Sequence, residues 1–129
     1  MRNIATISLA FGFAFAVSPV FAADVKSEIM TAEQHAELAA QAQSLDAVQM
    51  HLHHTLNCIV GPKGAEFDAK ELNPCANSGA GALVDSTDAA AKQKLKAAVA
   101  KANTGLKETV LASAQKDAAD TANILETAK

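Results

Sequence analysis

Apolar residues recur at helical spacing over most of the chain, and this pattern restricts the fold more than any other feature. Four large ones stand at intervals of seven residues: Leu38, Leu45, Leu52 and Ile59. Such spacing places them on one face of an amphipathic helix. Thr31 suits the N-cap, and Gly61 followed by Pro62 suits a stop. The sequence therefore predicts a first helix of about 28 residues, roughly 42 Å long.

Two more amphipathic segments follow an interval rich in turn-forming residues. Residues 60–86 show no sustained period and predict a long loop, and Asp85 to Asp88 offer capping side chains for a second helix. Small apolar residues then continue in helical phase to Leu125, with a break expected near Gly105. We expect one all-α domain over residues 23–129, an antiparallel three-helix bundle. A short extra helix would make it a four-helix bundle.

The N-terminal segment has the composition of a secretory signal peptide. Arg2 precedes the apolar run from Ile4 to Val17, and small residues follow up to Ala23. This order of basic, apolar and small residues predicts a cleaved signal over residues 1–22. Residues 23–129 contain no other long apolar run, so we expect a periplasmic protein without a membrane segment.

The two cysteines of the chain, Cys58 and Cys75, flank the first part of the predicted loop. In an oxidising compartment they predict one disulfide, worth roughly 3 kcal/mol by loop-closure entropy. That bond would fold the loop back over the end of the first helix. The alternative, in which the reduced cysteines are soft metal ligands, stays open at this point.

Charge and composition argue against several classes of function. Residues 23–129 carry 10 basic and 14 acidic side chains, and Phe67 is their one aromatic residue. A weakly acidic surface without stacking side chains is unsuited to nucleic acid. Neither a hydrolase triad, a phosphate-binding glycine motif nor a Cys-x-x-Cys redox motif is present, so we do not expect an enzyme.

The segment from Met50 to Cys58 holds three of the four histidines. On a helix, His51 and His54 share one face, while Met50 and His53 lie on a neighbouring one. Neutral imidazole is a good ligand for copper, nickel and zinc, and a thioether favours cuprous ion. We therefore predict a metal site built on His51 and His54 of the first helix, with Met50 or His53 assisting.

Two ligands do not hold a metal tightly, and the others have to come from elsewhere. The predicted loop offers carboxylates at Glu66, Asp68 and Glu71. His35 lies 16 residues before His51, roughly 24 Å away along a continuous helix. It could join the site only through a second chain or a different fold.

A competing interpretation assigns the histidines no ion. His54 and Asn57 would then satisfy the polar groups of the loop, and the protein would serve as an interaction or structural protein whose disulfide-held loop contacts a partner. A core made mostly of alanine, leucine and valine is thin, and dimerisation would enlarge it. A homodimer is compatible with either interpretation.

The stretch Ala100 to Glu108 reads as helix, Asn-x-Gly turn, helix. With the export signal, the small size and the histidine and methionine pair, the chain resembles the small periplasmic helical-bundle proteins that bind metal or haem. Those proteins include the b-type cytochrome bundle and the histidine-rich small metal-binding protein. The resemblance implies a bundle with a bound metal or haem. No histidine follows His54 and no c-type haem motif is present, so a metal ion is favoured over haem.

Overall fold

The computed structural model describes residues 23–129, which form five helices and no strand. The helices are α1 (Val25–Gln41), α2 (Leu45–Val60), α3 (Ala82–Asp85), α4 (Ala89–Lys107) and α5 (Leu111–Glu126). The all-α fold class is therefore confirmed, whereas the predicted bundle of three or four helices is not, because the described residues form five helices. None of these helices combines the length and the apolar character that crossing a membrane requires. The predicted signal peptide lies outside the described residues.

The prediction of one continuous first helix is wrong, because this segment forms two helices with a turn between them. α1 begins at Val25, where the Asp24 carboxylate accepts a hydrogen bond from the Ser27 amide (2.9 Å), so Thr31 lies inside the helix. After Gln41 the chain turns, and the Ser44 hydroxyl caps α2 by accepting from the Ala47 amide (3.2 Å). Serine is favoured at the N-cap because its hydroxyl accepts a hydrogen bond from a first-turn amide that has no partner within the helix.

The break in the second half of the chain falls close to the predicted place. α4 continues through Gly105 to Lys107, and α5 starts at Leu111 after a short extended link. Gly105 has a packing role, since a Cβ atom there would lie only 2.8 Å from Cδ1 of Leu52. The glycine therefore permits close approach between α4 and α2.

Helices joined by short links run antiparallel. In α1 and α2, Thr55 donates to the Ala32 carbonyl (3.2 Å), and in α4 and α5, Lys101 pairs with Asp117 (3.3 Å). α1 also packs against α5, and α2 against α4. The largest fully buried apolar side chains between them are Ile29, Leu52, Leu56, Ile59, Leu95 and Leu125. Buried alanines fill the remaining contacts and let the helices lie close together.

The loop between α2 and α4 is tied to the end of α2 at two adjacent positions. Cys58 and Cys75 form the predicted disulfide (S–S 2.01 Å), which removes both sulfurs from the possible metal ligands. The buried Asn57 amide donates to the carbonyls of Asp68 and Leu72 (both 3.0 Å) and accepts from the Asp68 amide (2.9 Å). The short helix α3 occupies the end of the predicted loop.

Glu28 of α1 is a fully buried carboxyl group against the same loop. Its Oε1 accepts from the Gly81 amide (3.0 Å), while Oε2 has no hydrogen-bond partner among the described residues. Burial, assisted by the charges of Asp85 and Asp24 and opposed by the Gly81 hydrogen bond, raises the pKa of Glu28 to about 7. Glu28 is therefore a group whose ionisation opposes folding.

This raised pKa predicts a pH-dependent effect of Glu28→Gln. As pH rises from about 4.5 to about 7, the unfolded chain releases a proton that the folded chain retains, so the wild type loses stability. The amide keeps an acceptor for Gly81 and cannot ionise. The variant should melt at a higher temperature than the wild type at pH 8 and at a similar temperature near pH 4.5.

The control is Glu37→Gln, which changes an exposed residue of the same helix. In this variant the difference in melting temperature between pH 4.5 and pH 8 should be the same as in the wild type. If Glu28→Gln lowers the melting temperature equally at both pH values, the buried carboxyl does not oppose folding and the prediction is wrong.

Candidate metal centre

The turn between α1 and α2 brings a third histidine to the predicted pair. His35 of α1 faces His51 and His54 of α2, and one ring nitrogen from each lies within 4.8 Å of the others. The expected separation of about 24 Å between His35 and His51 is wrong, because it assumed a continuous helix. His51 and His54 consequently lie on the second helix and not on the first.

The spacing between a nitrogen of His35 and one of His51 suits two ligands of a single ion. The Nδ1 atoms of His35 and His51 are 3.3 Å apart. Two ligands on a tetrahedral ion with bonds of about 2.0–2.1 Å are separated by roughly 3.4 Å. The ring of His54 stands edge-on to both other rings, at centroid distances of 5.0 and 5.7 Å. Three imidazoles from two helices therefore converge.

Of the other two predicted ligands, His53 lies outside the group of mutually close ligand atoms. His53 faces the loop, with Nδ1 at 3.6 Å from the Asp68 carboxylate. Met50 is 38 % exposed. Helical phase predicts His53 on a different face from His51 and His54, and the structure places His53 accordingly. His35 was missed as a partner, although Ser44 and Asp46 together form a helix-start signal that indicates the turn.

The electrostatic environment favours the neutral form of His35 and His54. Burial and the neighbouring imidazoles of His54 and His51 together lower the pKa of His35 to about 4, with burial the largest cause. Burial and His51 also lower the pKa of His54, while Glu71 opposes this shift. Neutral imidazoles keep the lone pairs that bind a metal.

Loop carboxylates lie near the centre without joining it. Glu71 Oε2 is 3.6 Å from His54 Nε2, whereas Glu66 is exposed. Among the described residues, the group of mutually close ligand atoms contains the three histidines and no carboxylate. The loop therefore covers the α2 side of the centre and supplies a negative charge beside His54.

Comparisons with protein-family models, curated proteins and solved structures find no match to this chain. The resemblance to periplasmic metal- and haem-binding bundles stays a prediction. The geometry of the three histidines consequently carries the functional argument.

The depressed pKa values predict how the metal-free protein responds to acid. A histidine whose pKa falls from 6.5 to about 4 on folding supports stability above pH 6.5, and this support is lost as pH falls towards 4. Side-chain NMR should show His35 titrating near pH 4. In His54→Asn the midpoint should rise but stay below 6.5, since burial is the largest cause. A midpoint at or above 6.5 in the wild type would contradict the buried, clustered geometry.

Proposed function

We propose that this protein binds one transition-metal ion, copper, nickel or zinc, through His35, His51 and His54. The observation that carries the proposal is the convergence of three nitrogens within 4.8 Å from two different helices. Helix positions hold ligands more precisely than loop positions do. The low pKa of His35 supports the proposal, since less proton competition means easier metal binding near neutral pH.

The donor set favours late transition metals. Imidazole nitrogen suits copper, nickel and zinc, and both cysteine sulfurs are consumed in the disulfide. Three protein ligands leave at least one position for water or another donor. Met50 precedes His51 and lies one turn before His54, so its thioether is the proposed assisting ligand for cuprous ion. His53, which faces Asp68, is replaced in the proposal by His35.

We propose binding without catalysis, in an exported protein. The sequence offers no nucleophile, acid and base arrangement beside the histidines. A metal ion is preferred to haem, because the His35 and His51 nitrogens are too close to lie on opposite faces of a porphyrin. The buried disulfide and the signal-like N-terminal sequence support the periplasm. The weakly acidic composition argues against nucleic acid as a partner.

The second candidate function is partner binding by the disulfide-held loop. One observation favours it: Leu72 is 63 % exposed although Asn57 fixes its carbonyl. An apolar side chain whose backbone is already held in place loses less conformational freedom when a partner binds it. This candidate predicts no metal above background in the purified protein, together with a partner that is lost when Cys75 is replaced.

The decisive variant is His35→Ala, with His53→Ala as the matched control on the other face of α2. The wild type should bind one ion per chain in competition titrations with a chromophoric chelator. His35→Ala should weaken zinc or copper binding by more than the roughly 10- to 100-fold that loss of an outer contact costs. His53→Ala should bind nearly as tightly as the wild type.

Circular dichroism of the same samples shows whether each variant is folded. Equal affinity of the wild type and a folded His35→Ala would refute the three-histidine site. Elemental analysis of protein isolated from the periplasm identifies the metal that it carries in the cell.

A further inference from the structure

The two ring nitrogens of His54 have different surroundings. Nε2 lies 3.6 Å from Oε2 of Glu71. Nδ1 is buried and has no hydrogen-bond partner in the described part of the chain. A buried ring nitrogen without a partner is energetically unfavourable unless something binds it. His54 itself is only 7 % exposed, so water has limited access to the ring.

The backbone contacts of the loop fix the position of Glu71. Asn57, three residues after His54 on α2, donates to the carbonyl of the adjacent Leu72 at 3.0 Å. The disulfide between Cys58 and Cys75 holds the same loop four residues after Glu71. Glu71 is therefore held beside α2 by anchors that do not involve His54, and its carboxylate is presented to Nε2.

Glu71 is not placed as a fourth ligand. Its carboxylate is absent from the set of ligand atoms that lie within 4.8 Å of one another, which holds only the three histidines. A carboxylate behind a histidine has a different established use in metal sites. It accepts the N–H of the nitrogen that does not bind the metal, which fixes the ring and strengthens the other nitrogen as a ligand.

We propose that Glu71 is a positioning residue for the metal centre. It accepts a hydrogen bond from Nε2–H of His54, so that the proton stays on Nε2 and the unpartnered Nδ1 faces the ion. A shift of about half an ångström brings the pair from 3.6 Å to ordinary hydrogen-bond distance. This role rests on the proposed metal-binding function, because it concerns one ligand of that site.

The chain contains a matched contact for comparison. Asp68 of the same loop lies 3.6 Å from Nδ1 of His53, which is outside the three-histidine group. Asp68→Asn removes one negative charge beside a histidine of α2, as Glu71→Gln does. Its Oδ1 can still accept from the Lys70 amide, so the local loop contact is retained.

The experiment measures zinc affinity and the His54 tautomer in the wild type, Glu71→Gln and Asp68→Asn. Glu71→Gln should bind zinc about 10- to 100-fold more weakly than the wild type, whereas Asp68→Asn should stay within about threefold. Nitrogen-15 NMR of the metal-free wild type should show His54 protonated at Nε2. The population of that tautomer should fall in Glu71→Gln and stay unchanged in Asp68→Asn, a difference that a purely structural role of Glu71 would not produce.

The outcomes separate this inference from the proposed function. If the wild type binds no zinc, copper or nickel, the proposed function fails and the positioning role fails with it. If the wild type binds but Glu71→Gln and Asp68→Asn have equal affinities, the metal site stands and the positioning role is overturned. A loss of affinity in Glu71→Gln with an unchanged His54 tautomer also overturns it, because Glu71 would then act as a ligand or only through its charge.

Discussion

The reversal of the chain at Ala42 to Ser44 is the constraint on which the rest of the structure depends. It lays α1 against α2, and the hydrogen bond from Thr55 to the Ala32 carbonyl fixes how the two helices align. With that alignment, His35 lies opposite His51 and close to His54. A continuous helix would keep the same residues roughly 24 Å apart. The turn therefore determines both the packing of α1 on α2 and the assembly of the candidate site.

Buried polar groups make the specific contacts that position the loop on a core that is rich in alanine. Asn57 and the disulfide hold the loop, and this loop in turn closes over Glu28 and His54. Glu28 penalises folding as pH rises, whereas His35 penalises it as pH falls. An ion bound by the histidines would add its binding free energy to the folded state and relieve the second effect.

The helical content, the disulfide and the pairing of His51 with His54 were predicted from the sequence. The turn after α1 was not. Leucines continue in phase from Leu38 to Leu45 across that turn, and periodicity reports phase without showing that a helix is continuous. Leu38 is in fact 42 % exposed, so the repeat does not mark one buried face. The capping signals at Asp24 and Ser44 indicate the true boundaries. Placing His35 required the tertiary contact between helices, which no local pattern contains.

X-ray absorption spectroscopy of the zinc-loaded protein tests the central claim most directly, because it counts the ligands by element and distance. The account predicts three imidazole nitrogens at about 2.0–2.1 Å, completed by oxygen, with no sulfur shell. Two imidazoles or fewer, or sulfur at about 2.3 Å, would contradict a zinc centre formed by His35, His51 and His54.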